Sequence, residues 1–183
     1  EVNYRKALIA FNANDGTGAY NSLIQTLNWN PWMPLYHRQY ADVNLRLANA
    51  LAAKQNLSDQ DRTNVNQLIQ QSIREGKLAV QINPVDVQNW ETLARIYRSL
   101  IKVAQGAENW TVVAYTEAIK VDPINPALRL ELGGIFYNLE DWESAAQNFQ
   151  AAVSLKPDYA NGYYNLALAY EKEDKIQQAV RAM

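Results

Sequence analysis

The sequence predicts an all-α fold in which antiparallel helix pairs stack side by side. Three observations predict it. Apolar residues recur at i, i+3 and i+4 through most of the 183 residues, the helical period. Prolines punctuate the chain at repeat-like distances: Pro157 follows Pro123 by 34 residues, Pro123 follows Pro84 by 39, and Pro84 follows Pro31 by 53. One local pattern returns, a Leu followed by a small residue with an aromatic three positions on, as in Leu132-Gly133…Phe136, Leu166-Ala167…Tyr170 and Leu93-Ala94…Tyr97. A period of about 20–50 residues marks a stack of small units, none of which buries its apolar stripe alone.

The elements follow in order. Residues 1–31 carry Tyr4, Ala7, Leu8 and Phe11 on a first helix, a turn at Asn14-Asp15-Gly16, and a second helix ending before Pro31. Asp15-Gly16-Thr17-Gly18 has the look of a phosphate loop but lacks the further Gly, the Lys and the preceding strand; a turn with Asp15 or Thr17 capping the next helix is the simpler reading. Residues 32–84 form the irregular unit. Pro34 suits the first turn of a helix that continues through Val43, Leu47, Ala50 and Leu51. Ser58-x-x-Asp61 then caps a partner helix carrying Val65, Leu68, Ile69, Ile73 and Val80. A first helix of about 20 residues reaches ~30 Å, against roughly 20 Å for a standard unit, so the hairpin of residues 34–82 is expected to project by ~10 Å.

Residues 85–123 repeat the pattern with Trp90, Leu93, Ala94 and Tyr97, and insert extra residues around LIKVAQGAENW, with Trp110 near the tip. The two neighbouring insertions are expected to pack on each other, a partner-docking ridge being the alternative. Residues 124–157 are the most regular: Leu132, Gly133, Phe136 and Tyr137, then Ala145, Phe149, Ala152 and Val153, closed by Pro157. Gly133 and the alanines at its equivalent positions allow close helix approach, while Phe136 and Tyr170 are expected to fill the grooves, at about 3–5 kcal/mol each on truncation if buried. Residues 158–183 give Tyr163, Leu166, Ala167, Tyr170 and Ala179, and the pattern stops at Met183. The start at Glu1 and the stop inside a helical pattern give the expectation of a piece of a longer protein.

These spacings resemble the tetratricopeptide repeat family along essentially the whole chain, most closely over the last two units; Leu8 and Ala41 stand where that family usually has Gly. The resemblance implies a right-handed superhelical solenoid of helix pairs, with the first helices lining a concave groove for a peptide or protein segment. Mapped by register, that groove holds Arg38, Asp42, Gln88, Glu91, Arg95, Arg98, Glu131, Tyr137, Asn138, Asn161, Tyr164 and Asn165, with Arg5, Lys6 and Arg46 adding to a basic lean in the first three units. Such a lean is expected to steer an acidic segment. The chaperone-adaptor carboxylate clamp of the same family matches only at Asn165. A second, looser resemblance, carried by NLSDQDR and LIKVAQGAENW, is to C-terminal repeat regions of bacterial O-antigen ligase/polymerase-type membrane proteins. It implies an accessory domain of a membrane-anchored parent.

Composition narrows the chemistry. A net charge of −2 offers no bulk field for nucleic acid or an anionic membrane, and no apolar run is long enough to insert. Cysteine is absent and His37 is the sole histidine, which removes thiol chemistry and leaves a metal site only carboxylates around one imidazole. His37 is therefore read as a packing or surface residue; no catalytic residue, metal or cofactor is expected. Gly133-Gly134 serves packing, and Asp59 and Asp61 favour a helix N-terminus. Asn56-Leu57-Ser58 and Asn109-Trp110-Thr111 match the glycosylation triplet in loops and carry little weight without a compartment. Trp29 is expected in the core. Trp32 is expected beneath the long hairpin, exposure as a binding anchor being the alternative. The last helix is expected to leave Ile176, Val180 and Met183 uncovered, a surface suited to self-association.

Overall fold

The computed structural model describes residues 2–182, and the secondary structure among them is helical throughout: α1 (Val2–Asn12), α2 (Gly16–Trp29), α3 (Pro34–Ala52), α4 (Asp59–Ile82), α5 (Val87–Ser99), α6 (Ala107–Val121), α7 (Pro126–Asn138), α8 (Trp142–Leu155), α9 (Ala160–Lys172) and α10 (Ile176–Ala182). The fold class is the expected all-α tetratricopeptide-type solenoid of helix pairs. Two compact units divide it, residues 2–102 with α1–α5 and residues 103–182 with α6–α10.

In the first unit α1 pairs with α2 and α3 with α4, while α5 rests on both α3 and α4. Ala7, Ala19, Leu23, Tyr40 and Val43 form the core where α1, α2 and α3 meet. The elongated hairpin is present, with α3 of 19 residues and α4 of 24 against 13 in α5. At about 1.5 Å per residue α3 exceeds α5 by roughly 9 Å. Its ends are set as the sequence predicts: Pro34 opens α3, and Ser58 and Asp61 exchange side-chain-to-backbone bonds at the start of α4. The buried seam of α4 is Ser72, Glu75, Gly76, Ala79 and Val80 rather than the larger Ile69 and Ile73. Small residues there admit the neighbours: a Cβ on Gly76 would lie 3.0 Å from Ile96 of α5, and Ser72 donates to the Ala41 carbonyl at 2.8 Å. Asn89 of α5, fully buried, donates to the carbonyls of Ala79 and Asn83 and ties α5 to the end of α4.

In the second unit Phe149, among the least exposed large side chains of the chain, packs with Ala145, Ala146, Val153, Leu166 and Ala167. Gly133 is there for its lack of a side chain, since a Cβ would come within 2.6 Å of the Phe149 ring. Phe136 and Tyr170 pack against this core as expected but are only half-buried, and Phe149 is the fully buried aromatic at its centre. The α1–α2, α7–α8 and α9–α10 turns share one device. Asn14, Glu140 and Asp174 adopt left-handed backbone, and the next residue's N–H reaches back five positions, Asp15 to Ala10, Asp141 to Phe136 and Lys175 to Tyr170, at 2.8–3.0 Å. This is the Schellman closure that satisfies carbonyls at a helix end.

Both tryptophans of the α2–α3 connection depart from expectation. Trp29 is 71% exposed and Trp32 78% exposed. The inward stripe of α2 is Ala19, Leu23 and Thr26, and Trp29 falls on the opposite side with exposed Gln25. Trp32 has its N–H bonded by the Asn30 side chain in the turn itself, while the first turn of α3 is packed by Tyr36 stacking on Tyr4 at 4.8 Å. The inserted tips, residues 52–56 and 102–105, are each exposed.

Candidate functional site

In each unit one pair of successive first helices touches directly, α3 with α5 and α7 with α9, whereas among the described residues α1 and α3, α2 and α4, or α6 and α8, make no comparable backbone approach. The register-mapped residues lie on these four helices. In the first unit these are Arg38 and Asp42 on α3 with Gln88, Glu91, Arg95 and Arg98 on α5. In the second they are Glu131, Tyr137 and Asn138 on α7 with Asn161, Tyr164 and Asn165 on α9.

The electrostatics differ from a simple basic face. Arg38 donates to Asp86, the cap of α5, at 2.9 Å, and Arg95 donates to both oxygens of Asp42 at 2.9 and 3.2 Å. Two arginines of the register-mapped face, Arg38 and Arg95, are therefore joined to carboxylates between α3 and α5, which neutralises their share of the expected basic lean. Arg46 is different: its guanidinium carbon sits 4.3 Å over the Phe11 ring. In the second unit Tyr137 packs edge-on against Trp142 at 4.9 Å, and Asn165 donates to the carbonyl and side-chain oxygen of Asn161. Tyr164 stays 59% exposed beside an open cavity of about 590 Å³ that Pro157, Tyr163 and Arg181 also line. At the last helix Ile176 and Val180 are exposed, and Met183 lies outside the described residues.

The group that sequence reasoning missed is a buried clasp on His37. Its Nδ1 lies 2.6 Å from Glu75 of α4 and its Nε2 2.8 Å from the Pro31 carbonyl. A carbonyl has no proton to give and an ionised carboxylate has none either, so this geometry favours the imidazolium, in which both ring nitrogens donate. Burial opposes the charge on His37, but the bonds to Glu75 and Pro31 and the Glu75 charge outweigh it and raise the pKa above 6.5. Burial likewise pushes Glu75 up, yet His37 and Arg74 together hold it below its ordinary 4.5. The clasp joins the α2–α3 turn, α3 and α4, and so sets the first turn of α3 from which Arg38 projects. A lone Glu on the seam of small residues at 72, 76 and 79 was the available signal. Among the described residues no three His, Asp or Glu side chains gather to hold a metal ion, and no helix is long and apolar enough to cross a membrane.

Comparison with known proteins places this geometry. A family model described as "TPR repeat" matches residues 133–174, from the middle of α7 to just past α9. The chain is 32% identical over 68 residues to small glutamine-rich tetratricopeptide repeat-containing protein 2 of Saccharomyces cerevisiae, covering 37% of this chain and 20% of that protein. It is 32% identical over 99 residues to tetratricopeptide repeat protein 5 of Bos taurus, covering 49% of this chain and 22% of that one. The chain thus spans about a fifth of the curated relatives it matches. Among solved structures it is similar to the MamA protein with a TM-score of 0.76 at 14% identity, covering 99% of this chain and 86% of that one. TTC0263, a thermophilic TPR protein in Thermus thermophilus, gives 0.63 at 18%, covering 98% and 86%. YrrB, described as a TPR protein with an unusual peptide-binding site, gives 0.66 at 12%, covering 96% and 78%. The looser likeness to O-antigen ligases has no counterpart among these relatives. Residues 133–174 thus carry a tetratricopeptide repeat, and the fold across the described residues is similar to that of solved tetratricopeptide-repeat structures.

Proposed function

We propose that this chain is a non-catalytic interaction scaffold, one array of the five sequence units, that binds a peptide or protein segment on the face of its first helices. The observation that supports the reading is the direct lateral contact of α3 with α5 and of α7 with α9, the helices to which the register assigns the binding residues. The peptide-binding site named for YrrB supports the class of ligand and nothing finer. Because Arg38 and Arg95 are spent on Asp86 and Asp42, the selective contacts are assigned to Gln88, Asn138, Asn161 and Tyr164 rather than to a field of positive charge. Exposed tyrosines anchor segments well, since they bring apolar area and a hydroxyl at small entropic cost.

A tiled peptide array tests it. Peptides retained by the wild-type chain are expected to lose about tenfold or more in affinity with Tyr164→Ala, which removes an exposed side chain and spares the core. Equal retention by wild type and variant, for every peptide bound, would remove Tyr164 and its surface from the reading.

A further inference from the structure

The long α3 does more than project. Its last turns run past the end of α1, whose 11 residues stop at Asn12, and so overhang the α1–α2 turn. Val43, Leu47 and Ala50, spaced i, i+4 and i+7, form one stripe of that overhang. With Phe11 below and the backbone at Gly16 opposite, they enclose a cavity of about 340 Å³. That volume lies in the range of small-ligand pockets, about 300–1,000 Å³. The Gly16 wall is close, since a Cβ there would meet Leu47 at 2.8 Å.

One charge borders the cavity, Arg46, and it is left for a ligand. Asp42, one turn earlier on α3, is its natural i−4 partner, but Arg95 of α5 takes both Asp42 oxygens. Asp15, next to the Gly16 wall, is committed to the Gly18 N–H at 2.8 Å as the cap of α2. Arg46 is left over the Phe11 ring with no carboxylate partner among the described residues. A guanidinium held on an aromatic face keeps its edge N–H donors for a second partner, and a carboxylate fits that fork better than a neutral amide does.

We infer that this pocket takes an aliphatic side chain whose neighbouring residue is acidic, the aliphatic group filling the cavity over Val43 and Leu47 while Arg46 binds the carboxylate. The inference rests on the scaffold reading and deepens it by naming the segment's chemistry at one place. The pocket owes its existence to the lengthened α3, so it belongs to this chain's departure from a regular repeat.

The test is a titration of the whole chain, isotope-labelled, with the blocked tetrapeptide acetyl-Gly-Leu-Glu-Gly-amide and its Gln counterpart, read at the amides of Gly16, Leu47 and Ala50. Saturable shifts are expected with the Glu peptide, and binding about three- to tenfold weaker with the Gln peptide. Arg46→Gln is expected to erase that difference while the rest of the spectrum stays native, and Ala50→Trp, which fills the cavity, to abolish both interactions. Arg95→Ala, which releases Asp42 toward Arg46, is expected to reduce the preference for Glu. No shifts with either peptide, shifts mapping elsewhere, equal binding of Glu and Gln peptides, or an undiminished preference in Arg46→Gln would each overturn the inference. Failure here with Tyr164-dependent peptide binding intact removes the pocket alone, whereas loss of Tyr164 dependence removes the scaffold face.

Discussion

Both ring nitrogens of His37 point at oxygen acceptors, which favours its doubly protonated form and makes the first unit sensitive to pH. The raised pKa of His37 contributes stability that is full below its ordinary 6.5 and lost as pH rises through the higher folded value. The depressed pKa of Glu75 contributes stability that is present above its ordinary 4.5 and lost as pH falls through the lower folded value. Urea unfolding followed across pH is therefore expected to show greatest stability between about 4.5 and 6.5, declining on both sides. Glu75→Ala, which strands a buried imidazolium, is expected to cost about 3–5 kcal/mol at pH 6 and to flatten the alkaline decline. An unchanged pH profile in that variant would deny the clasp its role. At this scale the sequence was least legible. The sequence leaves His37 as a packing or surface residue; it is buried, and its partner stands 38 positions away on a helix whose register only tertiary packing reveals. Trp29 and Trp32 were misplaced for a related reason: hydrophobicity assigns an indole to the interior, but the stripe of α2 had already been filled by smaller residues.

Helices and turns were far more legible, because caps and small-residue positions act locally. Pro34 and Ser58 with Asp61 are where pattern and spacing put them, and Gly133 holds the small-residue position of close helix approach that the repeat pattern gives it. The turns add a prediction of their own. Glu140 adopts φ 61°, the left-handed region that penalises a Cβ and that glycine enters freely. Glu140→Gly is expected to stabilise the second unit by about 0.5–1 kcal/mol in denaturant unfolding, since relief of that penalty exceeds the added freedom of the unfolded chain. Destabilisation would mean that the Glu side chain contributes more than the backbone costs. The interior of the same unit depends on Phe149, and Phe149→Ala is expected to cost about 3–5 kcal/mol, because Gly133 has no side chain to move into the space. Phe136→Ala is expected to cost less than Phe149→Ala, in keeping with its half-buried position; the reverse order would misplace the core.

Across the molecule, periodicity alone identified the repeat class, since each pair of helices needs a neighbour to cover its apolar stripe. The proposed binding face was legible only as a register. Which helices carry it follows from the repeat, but which of its charges remain available does not, because the Arg38–Asp86 and Arg95–Asp42 pairs join residues 48 and 53 positions apart. The most direct measurement is site-specific photo-crosslinking, with a benzophenone side chain placed singly at exposed positions of first and second helices in the source cell's extract. Adducts with another polypeptide are expected from positions 88, 138 and 164 on α5, α7 and α9, and not from positions 25, 70 and 150 on α2, α4 and α8. Adducts confined to the second-helix positions would contradict the claim that the first helices are where this protein meets its partner.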